Sequence, residues 1–193
     1  MGGSVDNIEK ELNVEGSIQV FLTLVVIIGS MYFFGDAFGN LKGALGAIAG
    51  IAAVFVFPIA LGIFVGDLYK LKADPQRFVS AYKSDEPQTP EIEIMEKAYS
   101  RALKHVSEAF RDMIILWLVF GTIIGLVEIA VMTGSLEIKK LPVFWAFLGM
   151  ASLLSFASFV LMIVFYLRKR SIEKALFAIQ LKKSDKAEIS IKI

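Results

Sequence analysis

The sequence predicts an all-α integral membrane protein with four transmembrane helices arranged as two hairpins. Hydrophobic residues make up 56% of the 193-residue chain. Nearly all charged residues lie outside four long apolar runs, and each run reaches the roughly 20 residues that an α-helix needs to cross a hydrocarbon core of about 30 Å. The four runs are Gly16–Gly35, Gly43–Gly66, Met113–Ser135 and Leu141–Leu167.

The first hairpin is expected within residues 17–66, after an acidic N-terminal segment of residues 1–16. Its second span is rich in Gly and Ala, which let helix backbones approach closely. Pro58 removes one backbone hydrogen bond and is expected to bend this span. The predicted close contacts are two pairs of glycines spaced GxxxG, Gly46 with Gly50 and Gly62 with Gly66.

Residues 67–112 are expected to form a helical cytoplasmic loop. Thr89 is a favourable N-cap and Pro90 suits the first helical position. No helix breaker follows, so we expect one helix over Glu91–Val131 that extends the third span into the cytoplasm as an amphipathic stalk. Its predicted apolar stripe is Ile92, Met95, Tyr99, Leu103, Val106 and Phe110.

That stripe needs a cover, because an exposed apolar stripe promotes aggregation. The sequence offers two segments of the chain itself, Pro75–Lys83 and the amphipathic tail helix Ser171–Lys183. A symmetry-related copy is the third possibility.

The second hairpin is expected within residues 113–167. One charge, Glu128, interrupts its first span. At 100° per residue Glu128 falls on one stripe with Gly121 and Gly125, a GxxxG pair that predicts a close helix contact.

Glu128 is therefore the candidate intramembrane ion or proton site. Ser30 and Tyr32 of the first span lie at a similar predicted depth and could donate hydrogen bonds to it. A buried carboxyl without a basic partner tends to stay protonated. The alternative is a neutral carboxyl that only contributes to helix packing.

The tail, residues 168–193, starts with the basic cluster Arg168–Arg170. The helix that follows could lie on the anionic inner leaflet or pack on the long loop helix. Residues Glu188–Ile193 alternate strictly between polar and apolar, a pattern typical of an edge strand that pairs with a partner. A frayed terminus is the other possibility.

The distribution of positive charge predicts the orientation. Seventeen of the 20 Lys and Arg residues lie in the N-terminal segment, the 67–112 loop and the tail, which share one side of the membrane. The excess of cytoplasmic Lys and Arg in membrane proteins places these regions, and both termini, in the cytoplasm of a cell-membrane protein.

Composition excludes several classes of function. The chain has no Cys and one His, so thiol chemistry, thiolate metal sites and multi-histidine metal centres are excluded. The sequence contains no phosphate-binding loop, zinc-protease motif or nucleophile elbow, and no cofactor or metal is expected. The 20 basic residues are balanced by 19 acidic ones, which argues against nucleic-acid binding.

The sequence therefore favours a non-enzymatic structural, assembly or interaction subunit in the lipid bilayer. It would act through tight helix packing and the cytoplasmic stalk, as a homo-oligomer or within a larger membrane complex. The alternative is a small homo-oligomeric channel or transporter that uses Glu128.

Overall fold

The computed structural model describes residues 4–12, 56–132 and 142–191, and within these ranges the chain forms helices and no β-strand. The predicted all-helical class is thus confirmed. The helices are α1 (5–12), α2 (Phe57–Lys70), α3 (Pro75–Asp85), α4 (Glu91–Met132) and α5 (Pro142–Ile191).

One helical stretch of the described residues, Leu148–Ser184, is long and apolar enough to cross a membrane. The arrangement of four spans stays a prediction. The run Gly16–Gly35 and most of Gly43–Gly66 lie outside the described residues.

The chain divides into two compact units. The polar unit comprises Met1–Glu15, Leu68–Arg111 and Ile163–Ile193, and the apolar unit comprises Gly16–Asp67 and Asp112–Met162. Helices α4 and α5 each contribute residues to both units.

The polar unit has its own hydrophobic core, to which four helices contribute. Burying each large apolar side chain contributes roughly 1.5–3 kcal/mol, so a core of this size is the main source of stability for the unit. The buried side chains include Val5, Ile8 and Leu12 of α1, Phe78, Val79 and Tyr82 of α3, Ile94, Ala98, Ala102 and Val106 of α4, and Phe165 and Ile172 of α5.

Local sequence signals account for helix α3. Asp74 has extended backbone angles, and its carboxylate accepts a hydrogen bond from the Gln76 N–H at 3.1 Å. Pro75 occupies the first helical position, where its missing N–H costs nothing. This helix covers α4 much as the segment Pro75–Lys83 was expected to.

Helix α4 is found as Glu91–Met132, within one residue of the predicted range. The predicted cap is wrong by one position. The Pro90 carbonyl accepts the first helical hydrogen bonds, from the N–H groups of Glu93 at 2.9 Å and Ile94 at 3.1 Å. Pro90 is therefore the N-cap, and the Thr89 hydroxyl bonds instead to Glu86 Oε2 at 3.1 Å.

The packed face of α4 also differs from the predicted stripe. The fully buried positions in the polar unit are Ile94, Ala98, Ala102, Val106 and Ala109. Of the predicted stripe only Val106 is among them, and the others are half-buried. Small alanines let neighbouring helices approach closely, and the larger apolar residues then lie at the edges of the contact.

Helix α5 continues without a break from Pro142 to Ile191, so the tail helix is an extension of the apolar helix. The polar end of α5 packs on α4, because Ile172 is buried and Lys183 Nζ lies 2.6 Å from Glu96 Oε2. Residues 188–191 are helical, so the edge-strand interpretation is wrong for them.

Aromatic contacts hold the described part of the apolar unit together. The rings of Phe57 and Phe120 meet edge to face at 6.1 Å, and those of Trp117 and Phe159 lie 5.7 Å apart. Val56 is π-helical and Pro58 is the second residue of α2. Because residues before Val56 lie outside the described ranges, the predicted bend at Pro58 stays a prediction.

Candidate functional site

Glu128 lies on α4 in the apolar unit and is exposed. Its predicted partners Ser30 and Tyr32 lie outside the described residues, so their proximity to Glu128 stays a prediction. On the same stripe Gly121 is exposed and Gly125 is half-buried.

The glycines predicted to pack fall into three groups. Gly62 and Gly66 of α2 are buried, whereas Gly46 and Gly50 lie outside the described residues. At Gly121 and Gly125 an added Cβ would meet nothing within 4 Å among the described residues. The α4 glycines thus form an open surface in the described part of the chain.

The polar unit contains a charged cluster around Arg101 that the sequence did not indicate. Arg101 Nε donates to Glu9 Oε1 at 2.6 Å, and Nη1 donates to Tyr82 Oη at 2.7 Å. The bonds to Tyr82 and Glu9 raise the pKa of Arg101. One guanidinium therefore joins α1, α3 and α4.

Helix α1 has two further attachments. Arg77 Nη2 of α3 donates to Glu11 Oε2 at 2.9 Å, and the Val5 N–H donates to Asp85 Oδ2 at 2.9 Å. The buried residues Val5, Ile8 and Leu12 are three and four residues apart, one per helical turn, and this spacing is the sequence signal for the helix.

Among the described residues, three lysine–carboxylate ion pairs at hydrogen-bond distance lie on the outside of the polar unit. Each pair lowers the pKa of its carboxylate, and the largest cause is the side-chain hydrogen bond from the lysine, as for Glu96 with Lys183. Because all three are exposed, each contributes little to stability. The pairs are Lys83 with Glu91 at 2.6 Å, Lys97 with Glu86 at 2.8 Å and Lys183 with Glu96 at 2.6 Å.

His105 is half-buried, and its ring stacks on Phe78 with an angle of 7° between the planes and 6.2 Å between centroids. Burial is the main cause that lowers the pKa of His105. Glu108 and Glu9 act in the opposite direction, whereas Lys70 and Lys104 lower it further.

The three residues of the basic cluster Arg168–Arg170 make different contacts. The Arg168 guanidinium donates to the backbone carbonyls of Leu71 and Ala73, which fixes the turn between α2 and α3 against α5. Lys169 Nζ lies 5.6 Å from the centre of the Phe110 ring, and Arg170 is exposed.

A cavity with a volume of about 340 Å³ lies beside this cluster, lined by Phe110, Tyr166, Lys169, Arg170 and Glu173. A second cavity of about 300 Å³ includes Asp74, Tyr99, Arg168 and Ser171 among its lining residues. Within the described ranges no group of three or more His, Asp or Glu side chains is placed to hold a metal ion.

The chain matches no family model, no curated protein and no solved structure.

Proposed function

We propose that this chain is a non-enzymatic multi-pass protein of the cell membrane that acts as a structural or assembly subunit. It works as a homo-oligomer or within a larger membrane complex. Both termini and residues 67–112 lie in the cytoplasm, and residues 17–66 and 113–167 form the two hairpins.

The membrane location is supported by one face of α5. Large apolar side chains recur there at helical spacing and are exposed, among them Leu153 at 70% and Phe156 at 68%. Only 22% of the apolar window within Leu148–Ser184 is buried, whereas the core helix of a soluble protein is mostly buried. Contact of such a face with lipid tails is favourable, whereas its exposure to water costs free energy.

The observation that carries the assembly function is the separately packed polar unit. It has a core drawn from four helices and charged contacts that fix α1 on α3 and α4. Two large apolar side chains of its α5 segment remain exposed, Phe177 at 63% and Leu181 at 51%. A packed helical surface with exposed apolar side chains suits binding to another subunit.

Self-association within the membrane is supported by the open glycine surface on α4. Small residues at a helix surface allow a second helix to approach closely. An added Cβ at Gly121 meets nothing within 4 Å among the described residues, so a bulky substitution there is expected to act mainly on the approach of a second helix.

The test is the mass of the complex extracted in nanodiscs, measured for wild type and for Gly121→Leu. Gly149→Leu is the matched control, since Gly149 is also exposed and an added Cβ there also meets nothing. We expect a multimer for wild type and for Gly149→Leu, and a smaller species for Gly121→Leu. A monomer for all three, without any other protein bound, contradicts the assembly function.

The alternative function is a small oligomeric channel or transporter in which Glu128 lines a pore. The exposure of Glu128 on the same open surface favours it, because charged residues in membrane spans usually face a partner or a water-filled path. Ion flux into proteoliposomes tests it. Flux that falls in Glu128→Gln supports the channel, and absence of flux in wild type contradicts it.

A further inference from the structure

We infer that the cavity lined by Phe110, Tyr166, Lys169, Arg170 and Glu173, here called the headgroup cavity, binds the phosphate of an anionic phospholipid from the inner leaflet. This inference rests on the proposed membrane location and adds a specific lipid contact to it.

The walls of the cavity have the chemistry of a lipid headgroup site. The rings of Phe110 and Tyr166 lie 6.0 Å apart and supply an apolar surface that suits the glycerol and upper acyl region. Lys169 and Arg170 supply positive charge beside it. Arginine binds phosphate through two parallel N–H donors, and lysine binds it as a point charge.

The two cations are available to a ligand. Lys169 Nζ lies 3.8 Å from Glu173 Oε1, longer than a hydrogen bond, so its N–H groups are not used by that carboxylate. Arg170 is exposed, and none of the hydrogen bonds and ion pairs among the described residues uses it. With two cations and one carboxylate, the cavity has a net positive charge that balances the single negative charge of a phosphodiester.

The position along α5 favours a lipid over a soluble anion. Leu167 is the last residue of the apolar run, and Arg170 follows it by three residues, about 5 Å along the helix axis. That distance corresponds to the headgroup layer. Leu181 lies about 21 Å beyond Leu167, too far along the helix to reach the same layer.

The second cavity does not share these properties. Its arginine, Arg168, already donates to the carbonyls of Leu71 and Ala73. Its acidic residue, Asp74, accepts a hydrogen bond from the Gln76 N–H as the cap of α3. No cation remains there for a phosphate, so the headgroup cavity is the better site.

The test is retention of lipid by the full-length protein, measured by native mass spectrometry with phosphatidylglycerol or phosphatidylcholine added. Wild type is compared with Lys169→Gln/Arg170→Gln and with a control, Lys104→Gln/Lys182→Gln, which removes two exposed charges outside the cavity. At about fivefold per cation near a membrane surface, we expect phosphatidylglycerol affinity to fall roughly 30-fold in the cavity variant. The control is expected to match wild type.

A third variant tests the sign of the charge effect. Glu173→Gln removes the negative charge of the cavity, so it is expected to bind phosphatidylglycerol more tightly than wild type. Equal loss in the cavity and control variants, or equal retention of both lipids by wild type, overturns the inference. Displacement of the lipid by millimolar inorganic phosphate also overturns it, since the site then takes a free anion.

Carbonate washing of membranes separates this outcome from failure of the proposed function. Release of wild-type protein into the soluble fraction contradicts the membrane location itself. Protein that stays in the membrane, but whose lipid retention is unchanged in the cavity variant, contradicts the headgroup site alone.

Discussion

Arg101 joins two other helices to α4, since its guanidinium donates to Glu9 of α1 and to Tyr82 of α3. Its bonds are partly protected from water, whereas the Arg77–Glu11 pair is exposed. Screening by water reduces the contribution of an exposed ion pair to the free energy of unfolding to a fraction of a kcal/mol. The two arginines should therefore differ in their effect on stability, although both hold α1.

We expect Arg101→Met to lower the free energy of unfolding by about 1–2 kcal/mol, because it leaves a half-buried carboxylate and a tyrosine hydroxyl without their donor. Arg77→Met makes the same chemical change and is expected to cost below about 0.5 kcal/mol. Thermal unfolding of the purified protein in detergent compares them. Equal shifts in the two variants contradict a central role for Arg101.

His105 predicts a pH dependence. Burial lowers its pKa below the usual value of 6.5, so the unfolded chain takes up the proton more readily than the folded chain. The stability is greatest above 6.5, falls as the pH drops through 6.5, and reaches its lower limit below the folded-state pKa.

His105→Phe keeps an aromatic ring against Phe78 and removes this titration. We expect the variant to lose less thermal stability than wild type when the pH falls from about 7.5 to about 5.5. Carboxylates titrate in both proteins, so their contribution to the loss of stability cancels when the two losses are compared. The same loss in both proteins contradicts the assignment to His105.

The buried face of helix α4 differs from the apolar stripe that the sequence predicts. Hydropathy favours the large residues, but the helices meet over alanines, and Ala98 and Ala102 have no exposed surface. A larger side chain at such a position has no space and forces the helices apart.

Ala102→Leu is therefore expected to destabilise the polar unit by about 1–3 kcal/mol, because overpacking strains a closely packed core. Ser100→Leu introduces the same side chain at an exposed position two residues away and should stay within about 0.5 kcal/mol of wild type. The thermal midpoint of each variant measures the difference. A tolerated leucine at position 102 would show that the alanine contact is loose.

The sequence predicted elements that have strong end signals and missed those without them. Helix α4 was placed within one residue because the segment Pro87–Pro90 marks its start. Helix α1 was missed because its acidic residues resemble a solvated segment, although its apolar residues have helical spacing. The sequence predicts the apolar span and the tail helix Ser171–Lys183 as separate elements, whereas α5 runs through Arg168–Arg170 without a break, since Arg and Lys are good helix formers.

The candidate site was predicted less completely than the fold. Glu128 is predicted as a site because it is the one charge in its apolar run, and this stays a prediction; in the structure Glu128 and Gly121 are exposed, and Gly125 is half-buried. The cavity at Phe110 and Tyr166 could not be predicted, because it depends on how α4 and α5 pack. Residues far apart in the chain form it, and no local pattern contains that information.

For the whole molecule, the sidedness of the chain is the prediction on which its function depends. The chain has no native Cys, so single cysteines report accessibility without background. Ser84→Cys, exposed at the end of α3, should react with a membrane-impermeant maleimide only after cells are permeabilised. Ser135→Cys, at the predicted outer end of the third span, should react in intact cells.

Labelling of Ser84→Cys in intact cells would reverse the orientation, and labelling of neither cysteine before permeabilisation would argue against a membrane span between them. Ser80→Cys, also exposed on α3, is a second reporter for the side of the membrane on which α3 lies. It should give the same result as Ser84→Cys.

The polar unit is assembled from the beginning, the middle and the end of the chain. During synthesis its core therefore stays incomplete until the residues after Ile163 have been made, and the apolar faces of the earlier segments stay uncovered until then. A product that terminates before Ile163 lacks Phe165 and Ile172 altogether. Such fragments leave the apolar faces of the earlier segments uncovered, so they should be targets for proteases and chaperones.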